Sequence, residues 1–180
     1  DEGLLVRLQG VGTFVAEPKG QSALFEIRSI ADEINARQHQ HRCEVLTLER
    51  TQANAQQALV LNVKEGTPIF HSIMVHYEND LPVQIEDRCV NAEIVPEYLA
   101  QDYSQTTPHA YLSLIAPLTE GEHIVEAVRA SAEECALLKI KEHDPCLLIR
   151  RKTWSASSIV SHARLLFPGS RYRLQGRFMS

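Results

Sequence analysis

The strongest constraint on the fold is a repeat of residue types at a fixed spacing of 77 positions, as between Pro68 and Pro145. Seven residues of the first copy recur in the second, and Val63 is echoed by Ile140. The seven pairs are Ala53 and Ala130, Ala55 and Ala132, Leu61 and Leu138, Lys64 and Lys141, Glu65 and Glu142, Pro68 and Pro145, and Val83 and Val160. Self-similarity at a fixed period is typical of a duplicated supersecondary unit. The chain is therefore predicted to contain two copies of one unit.

Each copy is predicted to be a short helix packed on an antiparallel hairpin. The alanine-containing segments Asn54–Leu61 and Ser131–Leu138 favour helices. A Lys-Glu turn and a proline follow each of them, and then two apolar, β-rich stretches. These stretches are Pro68–Tyr77 and Leu81–Val90 in the first copy, and Cys146–Trp154 and Ile159–Phe167 in the second. Two such units side by side form one larger antiparallel sheet flanked by helices, so the predicted fold class is α+β, with a natural cleft at the junction.

The N-terminal residues read as a separate piece. Residues 1–16 contain two short apolar runs around Gln9-Gly10, which is a hairpin signal. Residues 17–22 have the composition of a linker, so we place the main domain at residues 23–180. Because an isolated hairpin is marginally stable in water, the first piece is expected to belong to a larger unit that precedes Asp1.

Charge and cysteine usage exclude several classes. A net charge of −5 argues against a free-standing nucleic-acid binder, because such domains carry a basic excess. We find no apolar stretch long enough to span a bilayer and no signal peptide, so no membrane contact and a cytoplasmic location are expected. The four cysteines lack a C-x-x-C pair, and reduced, mostly buried thiols are expected. In an extended segment, His39, His41 and Cys43 could share one face and bind a metal. The favoured interpretation is a polar loop that leads into a strand at Glu44–Glu49. No metal and no cofactor are therefore predicted.

Two helix starts and one strand offer ligand-binding groups. Ser29 is a candidate N-cap, and Thr107 followed by Pro108 is a sharper start signal. A helix N-terminus suits an anionic group, to which His109 and Tyr111 could add contacts, although most helix starts bind only water. The fork of Arg28 could hold a carboxylate or simply be solvated.

Glu86 is the most distinctive strand residue. Its equivalent 77 positions later is Ala163, whereas positions with the same structural role are expected to match. Alternation along the strand puts Glu86 on one face with Gln84 and Arg88. A half-buried carboxylate needs a partner, which is either an arginine such as Arg88, the favoured alternative, or a donor group on a ligand.

Two sets of motifs carry a resemblance to a known family. Residues 2–5 and 10–15, Glu-Gly-Leu-Leu and Gly-Val-Gly-Thr-Phe-Val, resemble the wing that closes the winged helix-turn-helix domain of GntR-type bacterial regulators. Residues from about 22 to 180 are similar to the UTRA effector-binding domain of the HutC branch of that family. The most similar segments are Ile27–Ile34, Val83–Arg88, Pro117–His123 and Pro168–Leu174.

The resemblance implies a fold like that of chorismate lyase without its catalysis, a homodimer, and repression of histidine-utilisation genes that the small acid urocanate relieves. Operator DNA would be bound through the mostly absent N-terminal domain, with Gly10, Gly12 and Thr13 in the wing, although Val11 stands where a basic residue is common. The alternatives are a lyase-like enzyme that acts on a small carboxylate and a GntR-type regulator that senses a different small acid.

The resemblance also implies where the ligand lies. Sugar-phosphate-sensing relatives hold their ligand at five places, which fall here near Ser29 and Ile30, His76, Glu86, His109 with Tyr111, and Tyr172. Met74 and His76 stand where those relatives have arginines. The loss of that pair predicts a smaller, less charged ligand, which agrees with urocanate.

Overall fold

The computed structural model describes residues 5–8, 12–15 and 19–179. Strands β1 (Leu5–Leu8) and β2 (Gly12–Val15) form an antiparallel pair, as predicted, while the predicted turn at Gln9-Gly10 lies outside the described residues. Strand β3 (Gly20–Ala23) pairs in parallel with β10 (Tyr172–Gln175). This second pair, which the sequence did not predict, joins the end of the expected linker to the C-terminal segment.

The body of the fold is one six-stranded antiparallel sheet, as predicted. Its strands are β4 (His41–Gln52), β5 (Pro68–Glu78), β6 (Leu81–Asn91), β7 (Glu120–Arg129), β8 (Pro145–Ser155) and β9 (Ser158–Pro168). They lie in the order β4-β5-β6-β9-β8-β7. The β6–β9 pair is therefore the seam between the two copies. The predicted strand at Glu44–Glu49 is the middle of the longer β4, and β7 was not predicted.

The duplication holds down to single caps and turns. Helices α2 (Ala55–Leu61) and α4 (Ala132–Leu138) occupy equivalent places in the two copies. Each begins with a capping box, at Asn54 and at Ser131. The side chain of this first residue accepts a hydrogen bond from the amide three residues later, and the side chain of that later residue accepts one from the first residue's amide. Each ends with a left-handed residue, Asn62 at φ 52° and Lys139 at φ 53°. Matched caps fix the helices at matched positions on the two hairpins.

Helices lie on both faces of the sheet. In β5, Phe70 and Met74 pack with Leu112 of α3 (Pro108–Ile115), whereas Val75 packs with Leu138 of α4 on the opposite face. Helix α1 (Ile30–Ala36) covers the same face as α3, since Ile30 packs against the cluster that contains Leu165, whose cross-strand partner Glu86 pairs in turn with Met74. A short 3-10 turn at Tyr98–Ala100 completes the layer above Phe70.

The states of the four cysteines agree with the prediction of reduced thiols. All four cysteines are free, with Cys89, Cys135 and Cys146 buried and Cys43 partly buried. No helix in the described ranges is both long and apolar enough to cross a membrane.

Candidate effector site

A small polar cavity lies where the starts of α1 and α3 meet the central strands. Its volume is about 10 Å³, which is roughly the space of one water molecule. The lining residues are Arg28, Ile30, Glu33, Gln84, Glu86, Arg88, Thr107, His109, Arg151, Leu165 and Tyr172. They come from both copies of the repeat, so the cavity belongs to the predicted junction.

The charged side chains that the described part of the chain buries lie at this cavity or directly behind its wall. They are His76, Glu86, Arg88 and Arg151. Glu86 accepts hydrogen bonds from Arg88 Nε at 2.7 Å and from His76 Nε2 at 3.2 Å. The expected pairing of Glu86 with Arg88 is thus confirmed, and it is possible because alternate residues of β6 share one face. Arg88 Nη1 reaches across the seam and donates to Ser161 Oγ at 2.9 Å.

The pKa values follow from this network. Burial raises the pKa of Glu86, but Arg88 and His76 lower it more, and the carboxyl stays ionised well below its ordinary range. Burial lowers the pKa of His76, but its contacts with Cys43 and Glu86 raise it to about 9. Burial and the neighbouring His76 lower the pKa of His41 to about 4. At neutral pH a protonated His76 therefore donates from Nδ1 to a neutral His41 at 3.0 Å.

Arg151 is a buried cation without a carboxylate partner in the described part of the chain. Only 7% of the surface of Arg151 is exposed. Burial and the charge of Arg88 lower the pKa of Arg151 to about 10, so it remains protonated at neutral pH. With Arg88 and His76 it gives three buried positive charges, against the two carboxylates of the cavity wall, the buried Glu86 and the partly buried Glu33. Since a buried charge is costly unless it is paired, this site favours an anion.

A chain of hydrogen bonds leads away from Arg151. Arg151 Nε donates to His123 Nε2 at 2.9 Å, and His123 Nδ1 donates to the carbonyl of Leu24 at 2.9 Å. Burial and the charge of Arg151 lower the pKa of His123, which favours this neutral form. Leu24 directly follows β3, so the cavity is connected to the segment that enters the domain.

The two helix starts meet each other at the cavity. Ser29 Oγ and Thr107 Oγ1 are 2.9 Å apart, and Thr107 Oγ1 also accepts from the amide of Ala110 at 3.2 Å. Thr107 caps α3 as predicted. Ser29 occupies the N-cap position of α1, as predicted, but its hydroxyl makes no cap hydrogen bond to the helix and bonds with Thr107 instead. Burial, followed by the charges of Arg88 and Arg151, lowers the pKa of the adjacent His109 to about 4.

Most of the predicted ligand-binding residues come together. Five of them line the cavity, namely Arg28, Ile30, Glu86, His109 and Tyr172. Ser29 and His76 lie one contact behind the wall, through Thr107 and Glu86. Tyr111 packs instead against the neighbouring cluster around Phe70 and Tyr98. Arg28 is exposed and pairs with Glu26 at 2.6 Å.

Sequence reasoning did not select Gln84, Arg88, Thr107 or Arg151 as ligand contacts. Gln84 and Arg88 had been recognised only as neighbours of Glu86. The repeat could have indicated Arg151. It lies 77 positions after Met74, and Met74 occupies one of the two positions where the sugar-phosphate-sensing relatives have an arginine.

The other candidate residues have separate positions. Gly12 and Thr13 lie in β2, and Gly10 lies outside the described residues. His39 bonds with Glu78 while His41 bonds with His76, and no group of metal-binding side chains occurs in residues 5–8, 12–15 and 19–179.

The antiparallel sheet carries a charged cavity beneath two helix starts, an arrangement that suits a small polar ligand. The chain matches the UTRA domain over residues 36–173. It therefore belongs to the UTRA domain family.

Individual relatives narrow this class. The histidine utilization repressor of Klebsiella aerogenes is 81% identical over 180 residues, which are 100% of this chain and 75% of the relative. The crystal structure of the C-terminal domain of the histidine utilization repressor from Pseudomonas syringae pv. tomato is 57% identical, with a TM-score of 0.75 over 78% of this chain and 100% of that chain. PhnF from Mycobacterium smegmatis, at 20% identity and a TM-score of 0.88 over 98% of this chain and 78% of that chain, supports the fold alone. The chain is the ligand-sensing part of a transcriptional repressor and not an enzyme.

Proposed function

We propose that this chain senses urocanate and thereby controls a bacterial repressor of histidine-utilisation genes in the cytoplasm. The regulated genes follow from the names of the relatives. The observation that carries the effector class is Arg151, a buried cation that forms no salt bridge with a carboxylate of the described residues. Such a group is stabilised by an anionic ligand of small size.

Urocanate suits both sides of the cavity, the cationic side at Arg151 and the hydrogen-bond-accepting side at Glu86 and Gln84. It joins a carboxylate to an imidazole ring by a short, planar, unsaturated linker. The carboxylate matches the fork of Arg151, because a guanidinium can donate two parallel hydrogen bonds. The ring nitrogens match the ionised Glu86 and the amide of Gln84, which lie on a strand of the other copy.

Binding requires the cavity to open. A volume of about 10 Å³ is far too small for a ligand of about ten non-hydrogen atoms, since even one water needs about this much space. The starts of α1 and α3, joined by Ser29 and Thr107, form one wall and are the parts that have to move. Urocanate therefore acts by favouring an expanded state over the compact one, which is a population shift.

The signal leaves the cavity through Arg151, His123 and Leu24. A carboxylate that reorients Arg151 changes the bond to His123 and, through it, the hold on the carbonyl after β3. Residues 17–22 would transmit this change to the winged helix, where Gly10, Gly12 and Thr13 approach operator DNA.

The repressor would work as a homodimer whose two winged helices bind paired half-sites. The outer strands β4 and β7 are the open edges of the sheet, and each is largely exposed. Open edges are ready surfaces for pairing with a second copy. A change in the relative position of the two halves would alter half-site spacing and release the DNA.

Thermal unfolding with and without urocanate tests the effector. At a urocanate concentration 100 times the Kd, binding to the folded state alone stabilises by about 2.7 kcal/mol, which raises Tm by several degrees. Arg151→Met should abolish most of this rise, while the matched Arg150→Met, whose exposed side chain pairs with Glu126, should keep it. An unchanged Tm at saturating urocanate contradicts the assignment. Consumption of urocanate would point to an enzyme.

A further inference from the structure

Gln84 holds an unsatisfied hydrogen-bond acceptor inside the cavity. The residue is 4% exposed and lines the cavity wall. Among the buried side-chain nitrogen and oxygen atoms of the described residues, Gln84 Oε1 is the one without a hydrogen-bond partner. Buried polar atoms are almost always paired, and leaving one unpaired destabilises the folded state. The exception therefore calls for a functional reason.

The second copy of the repeat shows how this position looks when it has only a structural role. The residue 77 positions after Gln84 is Ser161. Ser161 Oγ accepts from Arg88 Nη1 at 2.9 Å and lies 3.0 Å from Thr153 Oγ1. The same place in the sheet is thus fully bonded in one copy and unsatisfied in the other, on the side that faces the cavity.

The nearest protein donors are engaged elsewhere. His76 lies opposite Gln84 on β5, but its two ring nitrogens bond with His41 and Glu86. The guanidinium of Arg88 donates from Nε to Glu86 and from Nη1 to Ser161. Arg151, which also lines the cavity, donates from Nε to His123. No described side chain donates to Gln84 Oε1, so a molecule bound in the cavity can supply the donor.

We propose that Gln84 is a specificity-determining residue that accepts a hydrogen bond from an N–H group of the effector. This inference rests on the proposed function, in which the effector is a small acid with a ring N–H at the end opposite its carboxylate. A small acid without an N–H would leave Gln84 Oε1 unpaired and would bind more weakly. Sites built around such a bond discriminate against analogues that lack it. Gln84 would thus separate an imidazole acid from other planar unsaturated acids.

Isothermal titration of the full chain with three acids tests this inference. The probes are urocanate and a matched pair, 3-(pyrrol-3-yl)acrylate and 3-(furan-3-yl)acrylate, which differ only by a ring N–H in place of an oxygen at a ring position that is not bonded to the linker carbon. The wild-type chain should bind the pyrrole acid at least about tenfold more tightly than the furan acid, as one hydrogen bond allows. Gln84→Met, which keeps the side-chain length without the amide, should bring the two affinities within about twofold by weakening the pyrrole acid. Gln56→Met on the exposed side of α2 should leave the ratio unchanged.

The outcomes separate this inference from the proposed function. Equal affinities for the pyrrole and furan acids in the wild-type chain overturn the role of Gln84, and this comparison needs no variant to fold. An unchanged ratio in a folded Gln84→Met chain overturns it as well. If the pyrrole acid binds with the expected preference while urocanate does not bind, the effector assignment fails and the role of Gln84 stands.

Discussion

The histidines around the cavity are held in different protonation states. Burial is the first cause that lowers the pKa of His41 and of His109 to about 4, so both are neutral near pH 7. His76 is more deeply buried than either, yet its contacts with Cys43 and Glu86 raise its pKa to about 9. A protonated imidazole beside an ionised carboxylate therefore belongs to the resting state of the site.

Stability should decrease as the pH rises from about 6.5 to about 9 because of His76. In this range the folded chain keeps a proton that the unfolded chain has released, so the unfolded state binds fewer protons and ΔG of unfolding falls with pH. Urea unfolding at both ends of the range measures the loss. His76→Asn should show a smaller loss than the wild-type chain, although a part should remain because a hydrogen bond to Asp87 also raises the pKa of His71.

The exposed His143 provides the control for this pH experiment. His143→Asn should lose as much stability as the wild-type chain. If His76→Asn and the wild-type chain lost equal amounts, the protonated state of His76 would be ruled out.

At the scale of elements, Arg171 ties the second copy to the first. Its Nη1 donates to the carbonyls of Pro82 at 2.7 Å and Leu138 at 2.6 Å, and its Nη2 donates to Lys139 at 3.1 Å. Leu138 and Lys139 end α4, where a positive charge also favours the negative end of the helix dipole. Pro82 lies in β6, so one side chain links a helix of one copy to a strand of the other.

Arg171→Ala should therefore lower the free energy of unfolding by about 1–3 kcal/mol, the usual cost of losing hydrogen bonds from a charged donor. Arg173→Ala is the matched control, because Arg173 is exposed and bonds with Gln21. Its effect should stay within about 0.5 kcal/mol. Equal urea midpoints for Arg171→Ala and the wild-type chain would contradict the role of Arg171 as a link.

The repeat spacing predicted both helix–hairpin units because its matched residues include packed positions such as Leu61 and Leu138, which are almost fully buried. The exposed strand β7 carries little apolar alternation and gave no comparable signal. The β3–β10 pair joins residues about 150 positions apart, and such a contact is set by tertiary packing.

The site was predictable only in part, for a similar reason. Strand alternation placed Glu86 beside Arg88 and Gln84, since all three belong to one strand. Arg151 enters the site from another strand, and the spacing alone does not say which copy of a repeat contributes the ligand contact. The unsatisfied state of Gln84 is a property of all its neighbours together, and no local pattern contains it.

At the scale of the whole molecule, the bonds from Arg151 through His123 to Leu24 should carry ligand occupancy to the N-terminal segment. Hydrogen exchange measures this directly. Urocanate should change the exchange of residues 20–28 in the wild-type chain, and His123→Ala should remove that change while residues 84–88 still respond. His143→Ala should behave as the wild-type chain does. A response of residues 20–28 that persists in His123→Ala would exclude this route.

The seam between β6 and β9 has a mechanical consequence. It is the one place in the six-stranded sheet where the two copies exchange main-chain bonds, and Glu86, Arg88 and Leu165 of the cavity wall lie on it. A ligand-binding cavity elsewhere in the sheet would contact strands of one copy alone. Under the proposed function, a ligand that widens the cavity would push on this seam, and a displacement of atomic size there would tilt one copy against the other by an amount that grows with distance from the seam.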